Sequence, residues 1–291
     1  MGGSSGRFVW QHRQVLSDDQ INGHLRDKLR DYNERDTDAI NRHIRGLRQA
    51  LEQTGNDVLP TRFGGSVSRH TYVDGLSDVD VLLTVNDSSL SGQAPKAVIR
   101  RMRELIQQRM PETQVSTGDL AVTVKYADGH EIQVLPAIRT KSGIRIANAS
   151  SNQWSGVLHP ERFAQKLTDI NQANHGQVIP AIKLTKALAH RFIRSDRDKV
   201  TGYHIESLAI DAFKNYRGAT DLKSMVSHLM GHSSRAVHQP IKDSTGQSRY
   251  MDDYMGRQGS AARQKASASF QRMRDSLNQC KSQADIDNLF D

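Results

Sequence analysis

The stretch Gly64-Gly65-Ser66, followed eleven residues after the serine by Ser77-Asp78-Val79-Asp80-Val81, decides how the chain is read. Residues i and i+2 of a strand face one side of the sheet, so Asp78 and Asp80 present two carboxylates together. Val79, Val81, Leu82 and Leu83 supply the opposite face and the sheet interior. Two carboxylates this close repel, and one pKa rises unless a cation lies between them. A pair of Mg²⁺ ions about 3.5–4 Å apart answers that repulsion and suits an in-line phosphoryl displacement. One metal lowers the pKa of the attacking hydroxyl; the other holds the triphosphate and the leaving pyrophosphate. Gly65 lets the backbone approach a phosphate closely. Ser66 and the neighbouring N–H groups donate to its oxygens, above all where a helix begins. Gly-Ser or Asp-x-Asp alone carries little weight. Strand, Gly-Gly-Ser, short helix, strand and Asp-Val-Asp in that order are specific.

Outward from this core, Val58 to Phe63 reads as the strand that leads into Gly64, and Val79 to Val85 as a second. Ala94 to Met110 reads as a helix. Asp119 to Tyr126 and His130 to Leu135 alternate as strands around Asp128-Gly129, a strong hairpin signal. Ser142-Gly143 turns the chain into a short strand at Ile144 to Ala147. On the N-terminal side, Ser17-Asp18-Asp19-Gln20 is a capping-box start. Apolar residues then recur at helical spacing from Ile21 to Leu51, up to a candidate C-cap at Gly55. One helix of that length spans roughly 50 Å, enough to brace two lobes, with a kink expected near Glu34 to Thr37.

Beyond about residue 150 the pattern turns helical: Pro160 to Ala173, Ile179 to Arg194, Tyr203 to Tyr216, Thr220 to Met230 and Ala261 to Cys280. The expected organisation is α+β: a flexible tail over 1–16, a catalytic lobe with a mixed sheet and its long N-terminal helix over 17–150, and a helical lobe over 151–291.

The chain has 291 residues, 36% of them hydrophobic, enough for two ordinary domains with a real core. Its longest apolar runs are too short to span a bilayer, and no secretory segment follows the start, so a cytoplasmic protein without membrane attachment is expected. The single Cys280 excludes a disulfide framework and any multi-cysteine zinc site. The excess of 40 Lys+Arg over 32 Asp+Glu points to a polyanionic partner without saying which.

The ordered motif resembles the DNA polymerase β-like nucleotidyltransferase superfamily. Within it the chain resembles the cGAS/DncV-like nucleotidyltransferases (CD-NTases), relatives of the oligoadenylate synthases, from about residue 15 onward. The resemblance implies a polymerase β-like lobe, a spine helix and a helical C-terminal lobe. It implies template-independent joining of nucleoside triphosphates, ATP among them, into cyclic or linear oligonucleotide second messengers. In bacteria the setting is CBASS antiphage defence, with an activating nucleic acid or regulatory protein and a downstream effector that binds the product. The cofactor implied is Mg²⁺, two ions, with Mn²⁺ as a substitute.

Position by position, the resemblance makes Asp78 and Asp80 the first two metal ligands and Gly65-Ser66 the phosphate cradle. The third carboxylate of the family lies three residues before a Pro-Ala end. In His130-Glu131-Ile132-Gln133-Val134-Leu135-Pro136-Ala137 that position is Gln133. Two readings stay open. Glu131, on the same strand face, reaches in as the third acid, or Gln133 takes the place of the base, and a neutral amide cannot act as one. Ile182-Lys183-Leu184-Thr185-Lys186-Ala187-Leu188 and Thr201-Gly202-Tyr203-His204 resemble family segments in which a lysine contacts the triphosphate and a tyrosine stacks on a base. Lys183, Lys186 and Tyr203 therefore join the substrate-binding set, against the plainer reading of solvated lysines and a core tyrosine.

Other features are weaker. Ser68, Arg69 and His70 either touch phosphates or cap a short helix. His228 and His232 have zinc-pair spacing, but no further ligands complete a site. Arg100, Arg101 and Arg103 form a basic helix face, and Asp243 to Asp253 is a polar loop. Two further functions stay open beside cyclic synthesis. One is linear products, or nucleotide addition to an RNA or protein end. The other is a catalytically impaired sensor that binds nucleotide or RNA.

Overall fold

The computed structural model describes residues 15–33, 37–52, 62–63, 69–73, 79–85, 92–148, 151–193, 200–241 and 252–290. Ser17 opens helix α1 (Asp18–Asp31) through a complete capping box: its Oγ accepts from Gln20 N at 3.3 Å, and Gln20 Oε1 accepts from Ser17 N at 2.9 Å. Helix α2 (Thr37–Glu52) follows, so the single long helix of the sequence reading is two described helices. The expected kink falls largely at residues outside the described set, as does Gly55. The split has a physical consequence. Ile21, Leu25 and Leu29 of α1 are buried in the core of the helical half, whereas Ile40, Leu47 and Leu51 of α2 are buried against the sheet.

The sheet comprises β1 (Arg62–Phe63), β2 (Val79–Val85), β3 (Gln114–Thr117), β4 (Val122–Lys125), β5 (Glu131–Arg139) and β6 (Ile144–Ile146), with helix α3 (Pro95–Arg109) between β2 and β3. The strand order is β1-β2-β5-β4-β3, and β6 pairs with the far half of β5. β2 and β5 run parallel at the centre; every other pairing is antiparallel. The hairpin expected at Asp128-Gly129 joins β4 to β5, with Gly129 at φ +91°, a conformation that costs glycine little. Strict alternation sets the two faces of the sheet. Val81, Val122, Val124, Ile132 and Val134 are buried and pack with Val98, Ile99, Met102 and Ile106 of α3 and with α2.

The helical half is built from α4 (Pro160–Ala173), α5 (Val178–Phe192), α6 (Gly202–Phe213), α7 (Leu222–Ala236), a 3₁₀ turn (Asp253–Met255), α8 (Ala261–Gln279) and α9 (Gln283–Phe290). The short β3 and α9 are additions to the sequence reading. Thr201 caps α6 and Asp221 caps α7, each side chain accepting a backbone N–H. Arg263 of α8 is fully buried and gathers this half together. It bonds Asp252 Oδ2 at 2.5 Å and the carbonyls of Gly256, Val237 and Gln239 at 2.9–3.0 Å. Among the described residues no helix is long and apolar enough to cross a membrane.

Candidate active site

The parallel pairing of β2 with β5 fixes the chemistry-bearing face. Asp80 is registered opposite Gln133, and on the other side of β5 Gln133 is opposite Thr123. Since the neighbouring pairs Val81–Val134 and Val134–Val122 belong to the buried face, positions 80, 133 and 123 lie on the other one. Glu131 shares that face, half-buried, and is registered opposite Lys125. It stands one pleat before Gln133, roughly 6.6 Å along the strand. The residue directly across from Asp80 is thus the glutamine. Gly65, Ser66 and Asp78 of the expected site lie outside the described residues.

The helical half meets this region through the segment that follows Gly65-Ser66. Arg69 and Thr71 both reach Glu206 of α6, which is completely buried. Arg69 Nε donates to Glu206 Oε2 at 2.5 Å, Thr71 Oγ1 donates to Glu206 Oε1 at 2.5 Å, and Lys186 Nζ donates to the same Oε1 at 2.7 Å. Lys186 also donates to the carbonyl and hydroxyl of Thr71 at 3.0 and 3.2 Å. Burial alone would raise the Glu206 pKa. The charges of Lys186 and Arg69, with the hydrogen bonds from Lys186 and Thr71, outweigh it and hold the pKa below the ordinary value. Gly202 leaves room for this cluster, since a Cβ there would stand 3.2 Å from Lys186 Cε and Nζ.

Lys186, which the sequence reading gave to a triphosphate, is held in this structure by Glu206 Oε1 and by the carbonyl and hydroxyl oxygens of Thr71. Arg69, read as a phosphate ligand or a cap, is instead an ion-pair partner of Glu206, and its guanidinium lies 5.4 and 5.6 Å from the ring centres of Phe163 and Tyr203. Lys183 Nζ donates to Asn33 Oδ1, just beyond α1. Tyr203 is 37% exposed, with its inner face on Phe163 at 4.4 Å between ring centres. Its neighbour His204 is buried, with Nδ1 hydrogen-bonded to Tyr254 Oη at 2.9 Å. Burial lowers the His204 pKa to about 4, with Arg263 adding to the effect and Asp252 opposing it, so the ring is neutral at pH 7. His228 and His232 have separate partners, Ala212 O at 3.0 Å and Asp211 Oδ2 at 2.8 Å.

Sequence reasoning missed Glu206 and Thr71. A signal for Glu206 existed: a lone carboxylate inside the apolar run Ile205 to Ile210 has to be paired if it is buried. Its partners Thr71 and Arg69 stand 135 and 137 residues away in sequence, and no local pattern names them.

A family model for the Second Messenger Oligonucleotide or Dinucleotide Synthetase domain matches residues 20–171, more than half of the chain. The chain belongs to this family. The second-messenger synthetase is accordingly a nucleotidyltransferase, and its mixed sheet with flanking helices is the polymerase β-like CD-NTase fold. Solved structures agree in fold at low identity. The CD-NTase CdnG of Bradyrhizobium diazoefficiens, in complex with GTP, has a TM-score of 0.71 at 14% identity, over 89% of this chain and 91% of that one. Escherichia coli CdnC with ATP gives 0.67 at 12% identity, over 94% and 96%. Escherichia coli DncV in a 3′-deoxy GTP bound form gives 0.63 at 9%, over 79% and 67%. No curated protein matches the sequence.

Proposed function

We propose that this synthetase joins nucleoside triphosphates, ATP among them, into a short cyclic oligonucleotide with release of pyrophosphate, as a signal in antiphage defence of the CBASS kind. The observation that carries the reading is the register of Asp80 against Gln133 in the central parallel pair, with Glu131 on the same face. The carboxylate and amide residue types at positions 80, 131 and 133 of this face supply oxygen donors, the kind that fits a hard divalent cation such as Mg²⁺. Asp78, Asp80 and Glu131 would hold two such ions. When bound, they neutralise the triphosphate and lower the pKa of the attacking ribose hydroxyl.

The protein's own groups supply the rest. A ribose hydroxyl of one nucleotide attacks the α-phosphorus of the next, the bond to pyrophosphate breaks, and the hydroxyl proton leaves toward the carboxylate face. Gly65, Ser66 and Lys183 bind the triphosphate. Tyr203, backed by Phe163, offers one ring face to a base, a contact that discriminates weakly between bases. Lys186 acts through Glu206 and Thr71 as a positioning residue for the segment after Ser66. An activating nucleic acid or regulatory protein and a product-binding effector complete the proposed system, in which this chain itself takes no membrane as a partner.

The reading is tested by incubating the full chain with labelled nucleoside triphosphates and Mg²⁺ or Mn²⁺. Pyrophosphate release with a short, phosphatase-resistant product supports it. A ladder of linear products favours chain extension, and nucleotide binding without release favours the sensor reading.

Glu131 and Gln133 divide the third-acid question. If Glu131 is the third carboxylate, Glu131→Gln lowers kcat by about 10²-fold or more, the usual worth of a positioned base or charge. Gln133→Asp, which restores a carboxylate across from Asp80, rescues that variant. An unchanged kcat in Glu131→Gln removes Glu131 from the mechanism.

A further inference from the structure

The tip of the β4–β5 hairpin and helix α2 bring together His43, Asp128 and His130. His43 Nε2 stands 2.7 Å from Asp128 Oδ2, and His130 Nδ1 stands 3.2 Å from Asp128 Oδ1. One ligand atom from each of the three lies within 4.8 Å of the other two. We propose that these three side chains form a second metal site, separate from the oxygen-rich catalytic face and selective for a borderline divalent cation such as Zn²⁺.

The donor chemistry argues for this class of metal. Two imidazoles and one carboxylate suit Zn²⁺ or Co²⁺ with water in the fourth position, whereas Mg²⁺ prefers oxygen alone. Donors held tetrahedrally at about 2.0–2.1 Å from an ion are roughly 3.3 Å apart; here the two His–Asp separations are 2.7 and 3.2 Å, to different carboxylate oxygens, and the three donors lie within 4.8 Å of one another. His130 Nδ1 is also shielded from water, and although Asp128 Oδ1 stands 3.2 Å away it makes no well-aligned hydrogen bond.

The donors are held before any ion arrives. The His43 ring stacks on Tyr126 at 3.6 Å, and Tyr126 Oη donates to the His43 carbonyl at 3.3 Å. The hairpin is closed by Gly129 N to Tyr126 O at 3.0 Å and Tyr126 N to His130 O at 2.9 Å. His130 N in turn donates to Asp128 Oδ1 at 3.2 Å, which fixes the carboxylate. These contacts do the work of an outer shell. The site joins elements 85 residues apart in sequence, so an occupied site ties α2 to the strand whose next residue is Glu131.

The test uses the full-length Asp78→Ala/Asp80→Ala protein, so that the catalytic face takes no metal. Titration with Co²⁺ should give visible d–d bands that saturate at a single equivalent, and Zn²⁺ should displace the cobalt. His43→Ala should weaken cobalt binding by more than about 100-fold, beyond the 10–100-fold that an outer-shell loss costs. Asp128→Asn should also weaken it, with circular dichroism unchanged, whereas His228→Ala/His232→Ala should leave the bands intact. In the otherwise unmodified chain Zn²⁺ should raise the melting temperature, and in His43→Ala it should not. No cobalt bands in the starting protein, or bands that persist in His43→Ala and Asp128→Asn, would overturn the site. Either result leaves the nucleotidyltransferase reading untouched.

Discussion

Asp80→Asn should reduce pyrophosphate release by at least about 10³-fold while leaving the melting temperature within the range of a surface substitution. The exchange keeps the size of the side chain and removes one negative charge at the residue registered across from Gln133. Removing a single group that stabilises transition-state charge commonly costs 10²–10³-fold. Asp80 is one of the three proposed acids, Asp78, Asp80 and Glu131, and the residue registered across from it, Gln133, is neutral and cannot take over its charge. Circular dichroism and a melting curve of the variant separate lost chemistry from lost fold, and an activity within tenfold of the starting protein would refute the assignment.

Glu206→Ala should have the largest effect on stability. The change leaves Lys186 and Arg69, each only 9% exposed at the side chain, buried without their shared counter-charge. Breaking a buried pair in this way costs about 3–5 kcal/mol, and with 2–4 °C lost per kcal/mol in domains of this size the melting temperature should fall by roughly 10 °C. Glu206→Gln keeps the volume and some hydrogen bonds and should fall between the two. The pH dependence has a definite sign. The pKa of Glu206 is lower in the folded chain, so its contribution is fully present above the ordinary glutamate range and is lost as pH falls below it. Acid unfolding of Glu206→Ala should therefore be less steep than that of the unmodified chain. A melting temperature unchanged by Glu206→Ala would show that the cluster is solvated.

Arg69 and Thr71 lie just after Gly65-Ser66 in sequence, and the structure fastens them to α6 and α5 through Glu206 and Lys186. The helical half thus holds the chain downstream of Gly65-Ser66, the proposed phosphate cradle. Partial loss of activity in Glu206→Gln, seen as a raised KM for the nucleotide, is the expected sign of that linkage.

What the sequence makes legible is what short-range patterns encode. Asp128-Gly129 between alternating segments gives the hairpin, and Pro160 with its apolar spacing gives α4 to the residue. The Asp-x-Asp strand gives the proposed metal-binding pair and, with Gly-Gly-Ser, the resemblance to the family whose model matches the chain. What it hides depends on distance or on weak periodicity. Strand β3 is a mostly exposed edge of four residues, Gln114–Thr117, with too little apolar contrast to mark it. Helical spacing continues across residues 33–37, so α1 and α2 read as one helix although they serve different cores. The contacts of Lys186 are hidden as well, because nothing local reveals a carboxylate twenty residues on or a threonine 115 residues back. The cluster of His43, Asp128 and His130 escapes for the same reason.

The most direct test of the central claim is the mass spectrum of the products made by the full chain from a mixture of the four ribonucleoside triphosphates and Mg²⁺, after phosphatase treatment. A cyclic oligonucleotide that survives the phosphatase is expected, and it should be missing when Asp80→Asn is used. Nucleosides alone, or a ladder of linear oligonucleotides, would contradict it.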